Sequence, residues 1–176
     1  MPDRIEDIRR LQGCLNDLVS LLSLPALWSG LEPPQVIGIL LDVLLRMLHL
    51  DFAYARLNDG ADEIVRIAKS RMTNPPPREI GLALEPWLRL DGPGSASGVP
   101  NPIGEGKVSI ICIWLGLAPE RGMIVAGSER TDFPDGIETL LLKSAVNQAV
   151  IELQRAEVVA EQNRAVAIEH VKNRLL

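Results

Sequence analysis

From Ile5 onward the apolar residues Ile5, Ile8, Leu11, Leu15, Leu18, Val19 and Leu22 recur at steps of mostly three and four, one face of an α-helix. The spacing predicts a helix over residues 3–24, closed by Pro25. A second run follows Glu32-Pro33-Pro34 and carries Val36, Ile37, Leu40, Leu41, Leu44, Leu45 and Leu48. Prolines fit the first turn of a helix, so this run predicts one over 33–49, apolar over an arc wide enough to be buried between layers.

After His49 the period shortens. Residues 51–57 and 64–70 read as two antiparallel strands around the turn-rich Asn58-Asp59-Gly60-Ala61-Asp62-Glu63. Pro75, Pro76 and Pro77 break the chain, and Arg78 to Leu90 resumes a helical pattern through Ile80, Leu84 and Leu88, with Trp87 beside them. Asp91 to Gly106 is rich in Gly, Pro and Ser and reads as a loop able to serve as a lid. Strands over 107–117 and 122–128 follow, joined across Ala118-Pro119-Glu120-Arg121. Thr131-Asp132-Phe133-Pro134-Asp135 supplies an N-cap, and no helix breaker follows it. A helix starting near 134 would run for about 40 residues, roughly 60 Å, and so must project from a domain of this size.

This order is α+β: one antiparallel sheet with helices gathered mainly on one face. The 176 residues are 47% hydrophobic and 23% charged, which suits one core and leaves no long disordered tail. A net charge of −5 without any Lys/Arg cluster argues against nucleic-acid binding. The acidic Asp3, Glu6 and Asp7 rule out the layout of a secretion signal, and the apolar runs fall short of the roughly 20 residues of a membrane helix. A cytoplasmic protein with no membrane partner is expected. Cys14 and Cys112 lie far apart without a CxxC or Cys/His cluster, so they read as buried free thiols.

Three stretches carry a resemblance: "LHLDFAYARL" at Leu48 to Leu57, "GMIVAGSERTDFP" at Gly122 to Pro134, and "LLLKSAVNQAVIELQRAEVVAEQNR" at Leu140 to Arg164. With the element order, they make the chain similar to the input GAF domains found ahead of bacterial sensor kinases and transcriptional regulators, from about Leu11 to Gln162. Ala145, Asn147, Gln148 and Ala149 match that family's closing helix. The resemblance implies a GAF/PAS-like central antiparallel sheet, with the N- and C-terminal helices packed on one face and a pocket covered by a helix and loop on the other. It also implies a GAF sensor domain over 1–150, a signalling or coiled-coil extension over 151–176, parallel homodimers, and two-component or related signal transduction without catalysis. The marks of particular branches are missing. There is no Asn-Lys-x-Phe-x-x-x-Asp-Glu pattern of cyclic-nucleotide binders, no Cys-His pair for a bilin, and no set of neighbouring cysteines for methionine-sulfoxide reduction.

No spacing places a nucleophile beside a base, and His49 and His170, the only histidines, offer a weak basis for haem or metal. The candidate ligand-binding set is instead Tyr54, Arg56, Arg66, Trp87 and Trp114. Phe52, Tyr54 and Arg56 share a strand face by the period of two, and Arg66 stands near them across the hairpin. Guanidinium groups there would suit a small molecule with a carboxylate or phosphate, between aromatic walls. The alternative is that the arginines face solvent and the aromatics only fill the core. On the last helix Ile151, Val158 and Ala165 repeat at seven, as do Val159 and Val166, a seam for a homodimer; the alternative is a solvated tail cut from a longer protein. Two functions remain: a small-molecule sensor acting through its terminal helices on an output domain, or a ligand-free dimerisation module of the same fold.

Overall fold

The computed structural model describes residues 2–59, 63–72, 75–88, 94–116 and 121–175. Helix α1 (Pro2–Trp28) and helix α2 (Pro33–Met47) precede strands β1 (Phe52–Asp59) and β2 (Glu63–Ser70). Helix α3 (Pro77–Leu88), strands β3 (Gly94–Pro100), β4 (Lys107–Trp114) and β5 (Gly122–Ser128), and helix α4 (Gly136–Arg174) complete the chain. All strand pairs are antiparallel, in the order β2-β1-β5-β4-β3. Parts of the connectors expected at 58–63, 91–106 and 118–121, with the ends expected of a helix at 89–90 and of a strand at 117, lie outside the described residues.

The period of two along each strand separates two cores. Ala53, Ala55 and Leu57 of β1, with Ile124 and Ala126 of β5, face α1, α2 and α4. Phe52 and Tyr54, with Met123 and Val125, face α3. Helix α2 is buried along Val36, Ile37, Leu40, Leu41, Leu44 and Leu45, which explains its wide apolar arc: it lies between the sheet and the terminal helices. Its start is capped by Gln35, whose side chain accepts the Glu32 N–H at 3.1 Å. The start of α4 is capped in the same way: Asp135 accepts the Glu138 N–H at 2.7 Å, and Glu138 accepts the Asp135 N–H at 3.0 Å.

Two sequence expectations are corrected. Pro25 does not close the first helix; α1 runs through it to Trp28, with Leu21, Leu24 and Trp28 buried on the flank that meets the core. The packing of those three side chains outweighs the hydrogen bond that proline cannot make. Within the expected loop over 91–106 lies β3, paired with β4 from Gly94↔Cys112 to Pro100↔Lys107. Its ladder shifts between Ala96 and Val99, where Gly98 takes φ +74°, a bulge that an edge strand tolerates and a side chain resists.

Candidate functional site

Three of the five candidate ligand residues meet on the α3 side of the sheet. Arg56 and Arg66 are direct cross-strand partners, and Tyr54 lies two pairs along on the same face, opposite Ala68. Tyr54 is fully buried and Arg56 half-buried, while Arg66 is exposed. Burial pushes the Tyr54 phenol above its usual range, and the positive charges of Arg66 and Arg56 oppose this, with the Arg66 guanidinium donating a hydrogen bond to the phenolic oxygen. Two guanidinium groups beside one phenol can hold an anion at the rim of this core. Trp87 of α3 and Trp114 of β4 both pack, half-buried, against the same core.

Beneath α3 the described side chains pack closely. Phe52, Ile80 and Leu84 are fully buried there, and a Cβ built at Gly81 would stand 2.6 Å from the Tyr54 hydroxyl oxygen. A glycine is what lets α3 sit so low over Tyr54. Trp114 also lines a groove of about 470 Å³ at the β4 edge, with Gly94 on one side and Lys143 and Asn147 of α4 on the other.

Cys112, on the same face, is buried, and burial pushes its thiol up to about 11 although the charge of Arg56 opposes this. Its sulfur lies 3.9 Å from that of Met123. Cys14 is only half-buried and lines a groove between α1 and α4, which corrects the expectation of two buried thiols. His49 is exposed at the end of α2, with φ +52° and its Nδ1 2.9 Å from the Arg46 carbonyl oxygen, and His170 is exposed on α4. Among the described residues no group of His, Cys, Asp and Glu is placed to hold a metal ion. No described helix is long and apolar enough to cross a membrane.

The terminal helices present the second candidate surface. The apolar stripe Ile5, Ile8, Leu11, Leu15, Val19 and Leu22 of α1 points away from the core, with Leu22 70% exposed. On α4, Ile151, Val158, Val159, Ala165 and Val166 are all exposed, and so is every described residue from 157 on. An ion pair of 3.0 Å between Arg10 and Asp135 sets α1 beside the start of α4. Periodicity shows that each helix is amphipathic without showing what its apolar face meets.

No protein-family model matches the chain, and no curated protein matches it in sequence. In fold it is similar to the GAF domain assigned to a sensor histidine kinase from Pseudomonas syringae pv. tomato, at 15% identity and TM-score 0.58, covering 94% of this chain and 99% of that one. It is likewise similar to the GAF domain of a phosphoenolpyruvate-protein phosphotransferase from Coxiella burnetii, at 14% identity and TM-score 0.55, covering 84% and 98%. The corresponding domain from Acinetobacter aligns at 10% identity and TM-score 0.53, covering 86% and 96%. With a five-stranded antiparallel sheet, three helices on one face and one on the other, the chain has the GAF fold.

Proposed function

We propose that the chain is a regulatory GAF module without catalysis of its own, acting in the cytoplasm through its terminal helices on an output domain or partner such as a histidine kinase or transcriptional regulator. The observation that carries this reading is the apolar surface left uncovered along α1 and α4. Exposed rows of Leu, Ile and Val on this scale are costly in water, and heptad spacing on α4 suits a parallel homodimer. On this reading residues 1–150 are the sensor domain and 151–176 the signalling extension, because α4 passes unbroken from the buried Ala149 into a stretch that is exposed at every described residue from 157 on. Sensor kinase and phosphotransferase GAF domains of the same fold support an output of this kind.

The input we assign to this module is a small anion at Tyr54, Arg56 and Arg66, with Trp87 and Trp114 as apolar neighbours. A ligand shifts the terminal helices only if it binds one arrangement better than the other. Native mass spectrometry of freshly purified full chain tests the input: wild type should carry an adduct that Arg66→Ala loses. A bare dimer in both would leave the second reading, a ligand-free dimerisation module. The close fit of Tyr54 beneath Gly81 favours that second reading, since it leaves no room for a guest at that contact.

A further inference from the structure

On the opposite face of the sheet, where α4 leaves the domain, lies a cavity of about 100 Å³. Its floor is the cross-strand pair Leu57 and Val65 with Leu115, and its walls are Pro33 and Pro34 at the start of α2 and Val150 and Leu153 of α4. The cavity exists because two elements run out together. Proline rings at the first turn of α2 cannot follow the sheet, and the α4 stripe continues from Val150 and Leu153 to Glu157, a charged residue that cannot fill an apolar gap. The rim is therefore polar: Asn58, Arg121 and Glu157 line it, and Arg121 Nη1 stands 3.8 Å from Glu157 Oε2.

We propose that this cavity is a binding site for a small aliphatic monocarboxylate, whose body fills the apolar floor and whose carboxylate takes Arg121 from Glu157. The size sets the class. An apolar cavity of about 150 Å³ admits benzene, so two-thirds of that volume suits a branched body of about four carbons. The charge follows from how the rim is built. Arg121 is fixed to the sheet: its carbonyl accepts the Asn58 N–H at 3.2 Å, and Gly122 beside it takes φ +134° against the Arg56 carbonyl, which admits no side chain. Glu157 sits on the exposed part of α4, beyond its last buried residue. Of the two, Arg121 is the one whose backbone is anchored in the sheet, and its guanidinium can grip a carboxylate in two parallel hydrogen bonds.

The Arg121–Glu157 pair is long and more than half exposed on both sides, so it holds weakly against a competitor that also buries an apolar body. The exchange makes the site regulatory, because the displaced group is a tie between the sheet and the projecting helix. A filled cavity and a tethered α4 exclude one another. This site lies on the other face from Tyr54, Arg56 and Arg66 and is independent of any ligand bound there.

The test uses the full chain and three ligands of one skeleton, 3-methylbutanoate, 3-methylbutanol and 3-methylbutylamine, titrated by protein NMR. The carboxylate should bind in the millimolar range expected of so few atoms. Arg121→Gln should weaken it about tenfold, since it removes the charged fork. Glu157→Gln should tighten it by removing the competitor, and Val150→Phe should abolish it by filling the cavity. Leu153→Phe, with the fold checked by circular dichroism, serves the same purpose if Val150→Phe fails to fold. Arg66→Ala should leave binding unchanged. No binding of the carboxylate, equal binding of the alcohol, preference for the amine, survival of binding in a folded cavity-filled variant, or no tightening in Glu157→Gln would each overturn the proposal.

Discussion

The ring of Phe52 lies against its cross-strand neighbour Gly127, so close that a Cβ at that position would fall inside the van der Waals surface of the ring. Both residues are fully buried, Phe52 on β1 and Gly127 on the central β5, so neither can move toward solvent. Gly127→Ala should therefore destabilise the fold by about 1–3 kcal/mol, the usual cost of overpacking a core. Chemical denaturation of Gly127→Ala, Phe52→Leu and the pair should show coupling, with the pair less damaged than the sum of the two. Additive losses would mean that the contact does not set the cost.

The N-cap of α4 gives a prediction in pH. The Glu138 backbone N–H bonded to the Asp135 carboxylate holds its pKa below the usual aspartate range, with Arg10 helping and partial burial opposing. A carboxyl whose folded pKa is depressed adds stability that is complete above its unfolded value near 4 and is lost as pH falls through the folded one. Asp135→Ala should cost about 1 kcal/mol at neutral pH, and the gap from wild type should close below about pH 4. A gap independent of pH would assign the loss to something other than the carboxylate.

Cys112 predicts the alkaline limb. Its thiol is pushed up to about 11 in the fold, so above the ordinary thiol range the unfolded chain gives up a proton that the native chain keeps. Stability should fall as pH rises from about 9 to 11, by roughly 2–3 kcal/mol if this group acts alone. Tyr54, also raised, adds to the loss at higher pH. Cys112→Val should flatten the limb. In thiol labelling at neutral pH, half-buried Cys14 should react well before buried Cys112, and equal rates would contradict the burial order.

How much of this was legible in the sequence varied with how local the signal was. That Phe52, Tyr54 and Arg56 share one face followed from the period of two, whereas which face it is and the Arg56↔Arg66 register depend on the strand pairing and on what packs over the sheet. Strand β3 was hidden because Gly-Ser-Ala-Ser-Gly has the composition of a loop, and it is held by pairing with β4 rather than by its own side chains. Pro25 misled because the packing of Leu24 and Trp28 that keeps the helix going is tertiary. The cavity beside Val150 could not be read at all. It arises where residues from the N-terminus of α2, the ends of β1, β2, β4 and β5, and α4 come together, and no single segment records that meeting.

The last prediction concerns assembly, which decides whether the exposed stripes are a dimer seam or a solvated surface. Leu15 and Leu22 of α1, and Val158 and Val166 of α4, are each more than half exposed in the single chain. Burying a side chain of this kind is worth about 1.5–3 kcal/mol, so a seam of several should hold a dimer at micromolar concentration even after the entropic cost of association. Sedimentation of the full chain at tens of micromolar should therefore show a dimer. Removing residues 157–176 should weaken it without unfolding the domain, because no described side chain from 157 on is buried. Leu22→Glu should weaken it at least about tenfold, since it sets a charge into the seam. Val158→Glu should do the same from the other helix, and the two together should give a folded monomer. A full chain that sediments as a monomer would remove the dimer and leave the exposed stripes of α1 and α4 as a solvated surface.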